Sequence, residues 1–252
     1  MSAEGFRSRL LARLPTVGTF VKTPAHAVVE VLGKTGLDFV ALDAEHAPFD
    51  RAQLDVCVMA GRAAGLGVVV RLPNTLAHTI QDVLDLGANG IIVPHITDAD
   101  TITAVRHAST YGGSRGYSNS PRAGGYGTRP MPQLLAEADA AIAIIGQIED
   151  AAAVDAFEQT VSHPGADAFL IGRADLAVSY GCTSIDAAPV RAAVARVARL
   201  CAEARKPLGI FVTDPSECST FMGEGISFFI VGSDQSAVLK YFRDTVAHFP
   251  AR

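Results

Sequence analysis

The chain has 252 residues, 49% of them hydrophobic and only 19% charged, with a net charge of −5 at pH 7. That composition describes a globular chain able to bury a large core rather than a disordered one, and its acidic balance argues against nucleic acid as a partner. No segment approaches the roughly 18 uninterrupted apolar residues of a membrane span, so no membrane association is expected.

Residues 1–14 carry Arg7, Arg9 and Arg13 but no long apolar core, so neither a signal peptide nor an anchor is expected there. From residue 16 onward, short apolar runs alternate with helix-period stretches. Eight strand-like segments fall at 16–22, 38–44, 67–72, 90–95, 142–149, 167–172, 207–213 and 227–232. Helix candidates fall at 25–35, 50–64, 75–86, 98–109, 152–161, 187–205, 215–223 and 235–248. Eight alternating units in a chain of this length predict an α/β fold, a (β/α)8 TIM barrel occupying 1–252 as a single domain. Gly36, Gly65, Gly87 and Gly225 each follow a helix and precede a strand, where a left-handed cap is needed. In 187–205, Val190, Val194, Val197 and Cys201 form one core-facing stripe, and Val238, Leu239, Phe242 and Val246 repeat the pattern in the last helix.

One connection breaks the pattern. Residues 110–132 contain no apolar period but hold three tyrosines and Arg115 and Arg122 between glycines. A loop of this length inside a compact domain reads as a binding loop, with a mobile surface excursion as the alternative. Cys57, Cys182, Cys201 and Cys218 form no CxxC pair. Ordinary thiols in a reducing cytoplasm are therefore expected, not a zinc knuckle or a disulfide framework.

The charged residues cluster at the C-terminal ends of the apolar runs, where such barrels place their chemistry. The second run ends in Asp43, Glu45 and His46. Histidine is the usual general base near neutral pH and a nearby carboxylate can raise its basicity; the alternative is that Glu45 or His46 caps the helix starting near Asp50. Arg71 closes the third run, where a cation must face solvent, a carboxylate or an anionic ligand. His95 shares that rim without an evident partner. Gln147 and Glu149 lie on one face of their strand, and Asp175 follows the next strand. Two hard oxygen ligands with open positions suit a divalent cation that also holds a substrate, although either carboxylate alone could equally be a cap or an ion-pair partner.

Five strings carry a resemblance: Asp43-Ala44-Glu45-His46-Ala47-Pro48, Val70-Arg71-Leu72-Pro73, Gly87-Ala88-Asn89-Gly90-Ile91-Ile92-Val93-Pro94, Gln147-Ile148-Glu149 and Ile171-Gly172-Arg173-Ala174-Asp175-Leu176. In order and spacing they resemble the HpcH/HpaI family of class II, pyruvate-using aldolases, from Thr19 to the last helix. The resemblance implies a barrel that binds Mg²⁺, Mn²⁺ or Co²⁺ through Glu149 and Asp175. Pyruvate would chelate that metal, with backbone N–H groups around Gly172, Arg173, Ala174 and Asp175 holding its carboxylate. Arg71 matches the arginine that stabilises the enolate, His46 with Asp43 the acid/base pair, and Gln147 a residue near the metal. The family's last helix often exchanges between subunits, which implies a homo-oligomer, a trimer or hexamer.

The chain departs from the family at Arg173, where proline is usual, at Phe20, where tryptophan is frequent, and in the loop after the fourth helix. Arg173 is expected to meet the acceptor or to pair with a rim carboxylate, and Arg122 to reach substrate from the long loop. A Schiff-base aldolase needs an interior lysine. Of Lys22, Lys34, Lys206 and Lys240, Lys22 closes the first strand and the others fall on helices or at a helix end, which favours the metal route. The expected activity is a cytoplasmic, metal-dependent, reversible cleavage of a 4-hydroxy-2-oxo acid to pyruvate, or a close 2-oxo acid, and an aldehyde through a stabilised enolate. An acyl-CoA lyase of the citrate lyase β-like group and a non-catalytic 2-oxo acid binding protein are the alternatives.

Overall fold

Each of the eight apolar runs becomes a strand, and the strands pair in parallel and in chain order until the last meets the first. The computed structural model describes residues 3–249. One half of the closed barrel is β1 (Thr16–Val21), β2 (Phe39–Asp43), β3 (Gly67–Arg71) and β4 (Gly90–Val93). The other is β5 (Ala143–Ile148), β6 (Ala168–Ile171), β7 (Leu208–Val212) and β8 (Phe228–Ser233). Around them run α2 (His26–Leu32), α3 (Arg51–Ala63), α4 (Ala77–Asp85), α5 (Ala99–Ser109), α7 (Ala151–Thr160), α9 (Ala188–Glu203), α10 (Glu217–Gly223) and α11 (Asp234–Ala247). Gly36, Gly65, Gly87 and Gly225 take φ between +76° and +90°, as the caps between helix and strand require.

Strand alternation divides the core in two. Val40, Leu42, Val68, Val70 and Ile91 point outward into the strand–helix layer. Phe39, Ala41, Val69, Ile92, Ile145 and Leu170 point inward and fill the barrel. The N-terminal end is closed by a helix that periodicity does not reveal, α1 (Ala3–Leu11), whose Phe6 and Leu10 join the interior cluster. Phe6 packs on Phe39 with ring centroids 5.2 Å apart. Glycine at 67 makes room for it, since a Cβ there would lie 2.9 Å from the Phe6 ring. Arg7 pins the helix by an ion pair of 2.7 Å to Asp167.

Two further helices are absent from the sequence pattern, α6 (Met131–Ala141) and α8 (Arg173–Ser179). The first follows the long loop, whose turns lie against α3 and α4 through Arg115 to Asp85 at 2.8 Å and Arg122 to Asp55 at 2.7 Å. In α11 the expected core-facing stripe does not face the core. Val238, Leu239, Phe242 and Val246 are 52–69% exposed, and Asp234 is the buried residue of that helix. The periodicity is real, but within the described residues nothing covers it.

The barrel floor gives a stability prediction. Phe6→Ala should cost about 3–5 kcal/mol, the usual range for emptying a closed aromatic site, read by urea unfolding. A loss below about 1 kcal/mol would mean that α1 does not close the barrel.

Candidate active site

Continuing the inward alternation by one step turns each strand from apolar to polar at its C-terminal end: Phe20 to Lys22, Ala41 to Asp43, Val69 to Arg71, Ile145 to Gln147. These residues surround a cavity of about 160 Å³. Lys22, His46 and Arg71 form one wall, and Gln147, Gly172, Arg173, Ala174 and Asp175 form the other. Phe20, Leu170 and Phe211 make the floor, with Phe20 and Phe211 in contact at 5.6 Å between centroids.

The first wall is organised by Asp43. Register places Asp43 directly beside Arg71, and the two form a fork of hydrogen bonds: Arg71 Nε donates to Oδ1 at 3.0 Å and Nη2 to Oδ2 at 2.8 Å. Lys22 Nζ lies 3.4 Å from Oδ2. Burial pushes the Asp43 carboxyl upward, yet the hydrogen bonds and charge of Arg71, the His46 backbone N–H and the charge of Lys22 together hold it below the usual carboxylate range. Arg71 also stacks over the Phe20 ring at 4.5 Å.

Asp43 does not meet the His46 imidazole. It accepts the His46 backbone N–H at 3.1 Å, and the half-exposed ring instead has Nε2 3.6 Å from Glu45 Oε2. That oxygen is also 3.3 Å from Arg71 Nε, but it is buried without accepting a hydrogen bond. Neither Glu45 nor His46 caps α3, because the Asp50 side chain accepts the Gln53 N–H and the Asp50 backbone N–H donates to the Gln53 side-chain oxygen in return.

On the second wall Glu149 lies buried behind Gly172. Its Oε1 accepts the backbone N–H of His95 at 2.9 Å and its Oε2 accepts from the Gln147 amide. Burial raises its pKa and the Asp175 charge adds to that rise, against the opposing hydrogen bonds. A Cβ at position 172 would come within 2.9 Å of Glu149 Oε2, so only glycine admits this packing. Gln147 Oε1 is buried with no hydrogen-bond partner. Residues 173–175 open α8, so their N–H groups have no carbonyl four residues back to bond.

Two expected substrate contacts are otherwise engaged. Arg173 is buried, with Nη2 2.7 Å from Glu217 Oε2 and its guanidinium 5.1 Å over the Phe221 ring, so its charge is met by a rim carboxylate. Arg122 does not reach this cavity: its Nη1 donates to Leu86 O at 2.7 Å and pairs with Asp55 on the outer face of α3 and α4.

The structure gives a place at the site to two residues that the sequence left without a role there. Lys22 lines the cavity, which only its place two residues beyond Phe20 could have signalled. His95, with φ of +53°, turns its backbone N–H to Glu149, while its ring lies 3.0 Å from Asp150. The Asp150 hydrogen bond is the main cause of its raised pKa.

Comparison with known proteins agrees with this fold. The model of the HpcH/HpaI aldolase/citrate lyase family matches residues 16–240. A hydroxypyruvate/pyruvate aldolase of Paraburkholderia phytofirmans is 32% identical over 249 residues, 95% of each chain. A 5-keto-4-deoxy-D-glucarate aldolase of Klebsiella pneumoniae subsp. pneumoniae is 31% identical over 232 residues, 91% of this chain and 90% of that one. Among solved structures, an HpcH/HpaI aldolase/citrate lyase family protein from Burkholderia cenocepacia J2315 superposes with a TM-score of 0.93 at 29% identity, covering 97% of this chain and 98% of that one.

Because Asp43 titrates below its unfolded value, its stabilising contribution is fully present above about pH 4 and fades as the pH falls through the lowered value. Asp43→Asn should therefore cost about 3 kcal/mol at pH 7, as breaking a buried pair does, and progressively less below about pH 4. Urea unfolding of both proteins across that range checks it. A gap independent of pH would show that Asp43 does not titrate with folding.

Proposed function

The chain belongs to the HpcH/HpaI aldolase/citrate lyase family, and from that premise we propose a divalent-metal-dependent aldolase that reversibly cleaves a 4-hydroxy-2-oxo acid to pyruvate, or a close 2-oxo acid, and an aldehyde. As a member with aldolase relatives it is a carbon–carbon lyase. One observation carries the finer reading: a small cavity lined by Asp175 on one side, with the buried Glu149 carboxylate behind Gly172, and by an anchored guanidinium on the other. Its volume of about 160 Å³ suits a molecule of pyruvate's size, since a cavity of roughly 150 Å³ takes benzene, which also has six heavy atoms.

Glu149 and Asp175 would hold the cation, Mg²⁺, Mn²⁺ or Co²⁺. The donor set fits. Glu149 and Asp175 are close enough for the charge of one to act on the other, and the unpartnered Gln147 Oε1 adds a neutral oxygen beside Glu149. When bound, such an ion supplies a Lewis acid for the keto group of a 2-oxo acid.

This chain's own residues have the remaining work. The first-turn N–H groups contributed by Arg173, Ala174 and Asp175, beside Gly172, hold the substrate carboxylate. Asp43 occupies Nε and Nη2 of Arg71, so Nη1, which has no protein partner, is left to meet the oxygen on which negative charge develops. His46 removes the proton of the 4-hydroxyl group as the C3–C4 bond breaks. The bonding electrons pass into the 2-oxo acid half as its enolate, which is then protonated at carbon to give pyruvate. Asp43 holds the His46 backbone, and Glu45 is the carboxylate nearest its ring.

Two further features belong to the proposal. The uncovered face of α11, with Phe242 58% exposed, and Phe249 just beyond the helix, 64% exposed, support a homo-oligomer, a trimer or hexamer, because exposed apolar surface marks an interface. Cytoplasmic location is supported by four free cysteines. No helix among the described residues is long and apolar enough to cross a membrane.

Activity should vanish on chelation and return with Mg²⁺, Mn²⁺ or Co²⁺, while borohydride with pyruvate leaves the protein unmodified; a lysine adduct with activity intact in chelator would overturn the mechanism. His46→Ala should keep metal binding, measured calorimetrically, and lose about 10²–10⁴-fold in cleavage rate. Full activity in that variant would remove His46 as the base. Light scattering should find an oligomer, and Phe242→Glu should dissociate it; a fully active wild-type monomer at assay concentration would contradict the interface.

A further inference from the structure

Lys22 continues the inward alternation of Gly18 and Phe20, and the chain fixes its position from behind. β8 carries one residue more than β1 at their upper end, so Gly18 pairs with Ile230 but Phe20 with Ser233. Gly232, at φ of +56°, lies within that irregularity. The shift brings the buried Asp234 carboxylate to the exit of β1, where its Oδ1 accepts Lys22 N–H at 2.7 Å and its Oδ2 accepts Thr23 N–H at 3.1 Å.

The side chain enters the cavity with its ammonium 6.0 Å from the Phe20 ring centroid. Its one neighbouring carboxylate among the described residues is Asp43, at 3.4 Å, and that oxygen already accepts from Arg71 at 2.8 Å. An ammonium has three donors, and here none makes a hydrogen bond of ordinary length. The other two cations on the walls are engaged, Arg71 by Asp43 and Glu45 and Arg173 by Glu217. Lys22 is therefore the lining cation with the most unused donor capacity.

Its place in the barrel says which part of a substrate it meets. Glu149 and Asp175 follow β5 and β6, whereas Lys22 follows β1, across the Phe20 and Phe211 floor. A 2-oxo acid seated on the carboxylate side leaves Lys22 to the other product. We infer that Lys22 recognises a carboxylate borne by the aldehyde half of the substrate, an inference that rests on the aldolase reading. An ammonium facing a carboxylate in a cavity forms a charge-assisted hydrogen bond, worth about 10- to 100-fold in affinity.

The test compares Lys22→Met and Lys22→Arg with wild type, all loaded with Mg²⁺, by kcat/KM for pyruvate addition to glyoxylate, to succinic semialdehyde and to uncharged propanal. Each value is normalised to the same protein's rate of deuterium exchange into the methyl group of pyruvate, which needs no acceptor. In Lys22→Met the preference for the carboxylated aldehydes over propanal should fall about 10- to 100-fold, and in Lys22→Arg it should stay within about threefold, since a cation with donors remains. An unchanged preference in Lys22→Met, or an equal loss for all three acceptors, overturns the inference and assigns Lys22 to the support of Asp43. A wild type that exchanges no pyruvate deuterium overturns the aldolase reading itself, and the role of Lys22 with it.

Discussion

The mouth of this barrel depends on one buried ion pair, Asp43 with Arg71. Each is the inward residue at the end of its strand, and parallel register sets them side by side. A charge in that position is costly unless it is paired and hydrogen-bonded. Asp43 meets the condition with both carboxylate oxygens on the guanidinium fork and one of them also on the His46 backbone. Removing either partner would leave the other charge stranded below a lysine and beside a glutamate. The same pair fixes the plane of the guanidinium against the Phe20 ring and so decides which of its N–H groups faces the cavity.

The opposite wall is built on the reverse electrostatic logic. Glu149 is buried near another carboxylate, with hydrogen bonds and the nearby His95 charge that only partly offset its burial. Local backbone makes this arrangement: glycine at 172 leaves room for the Glu149 side chain, and a left-handed His95 directs an N–H at it. On the proposed reading, a wall bearing carboxylates and a cationic wall across a floor of aromatic rings would give a bound acid a fixed direction, with its reacting end toward His46 and Arg71.

Most of the frame is legible in the amino-acid sequence because strands buried on both faces read as apolar runs and their exits read as abrupt charges. That logic locates Asp43, Arg71, Gln147 and Glu149 without any structure. It fails where a side chain's role comes from partners distant in sequence. Two apolar residues one turn apart, Phe6 and Leu10, are too few to announce α1, although they close the barrel. α8 is a short helix opening on Gly172, and nothing periodic marks it. The stripe on α11 reads as core-facing by its period, yet the structure leaves it exposed, because period alone does not say which neighbour a stripe meets. Lys22 reads as the end of a strand until the register shift beside Gly232 brings Asp234 to its backbone. The sequence pairs Asp43 with the nearest histidine, whereas the register gives its carboxylate to Arg71. Arg122 reads as a substrate contact but pairs with a carboxylate of another helix, and of the two partners open to Arg173 in the sequence the structure supplies the rim carboxylate.

Crystals soaked with Mn²⁺ and pyruvate, mapped at the manganese absorption edge, would examine the two walls together. The expected result is one manganese per chain within about 2.5 Å of carboxylate oxygens of both Glu149 and Asp175, with pyruvate bound beside it and within hydrogen-bond reach of Arg71. Manganese bound away from these carboxylates, or pyruvate seated in the cavity with its keto oxygen turned from both the metal and Arg71, would contradict the division of roles between the two walls.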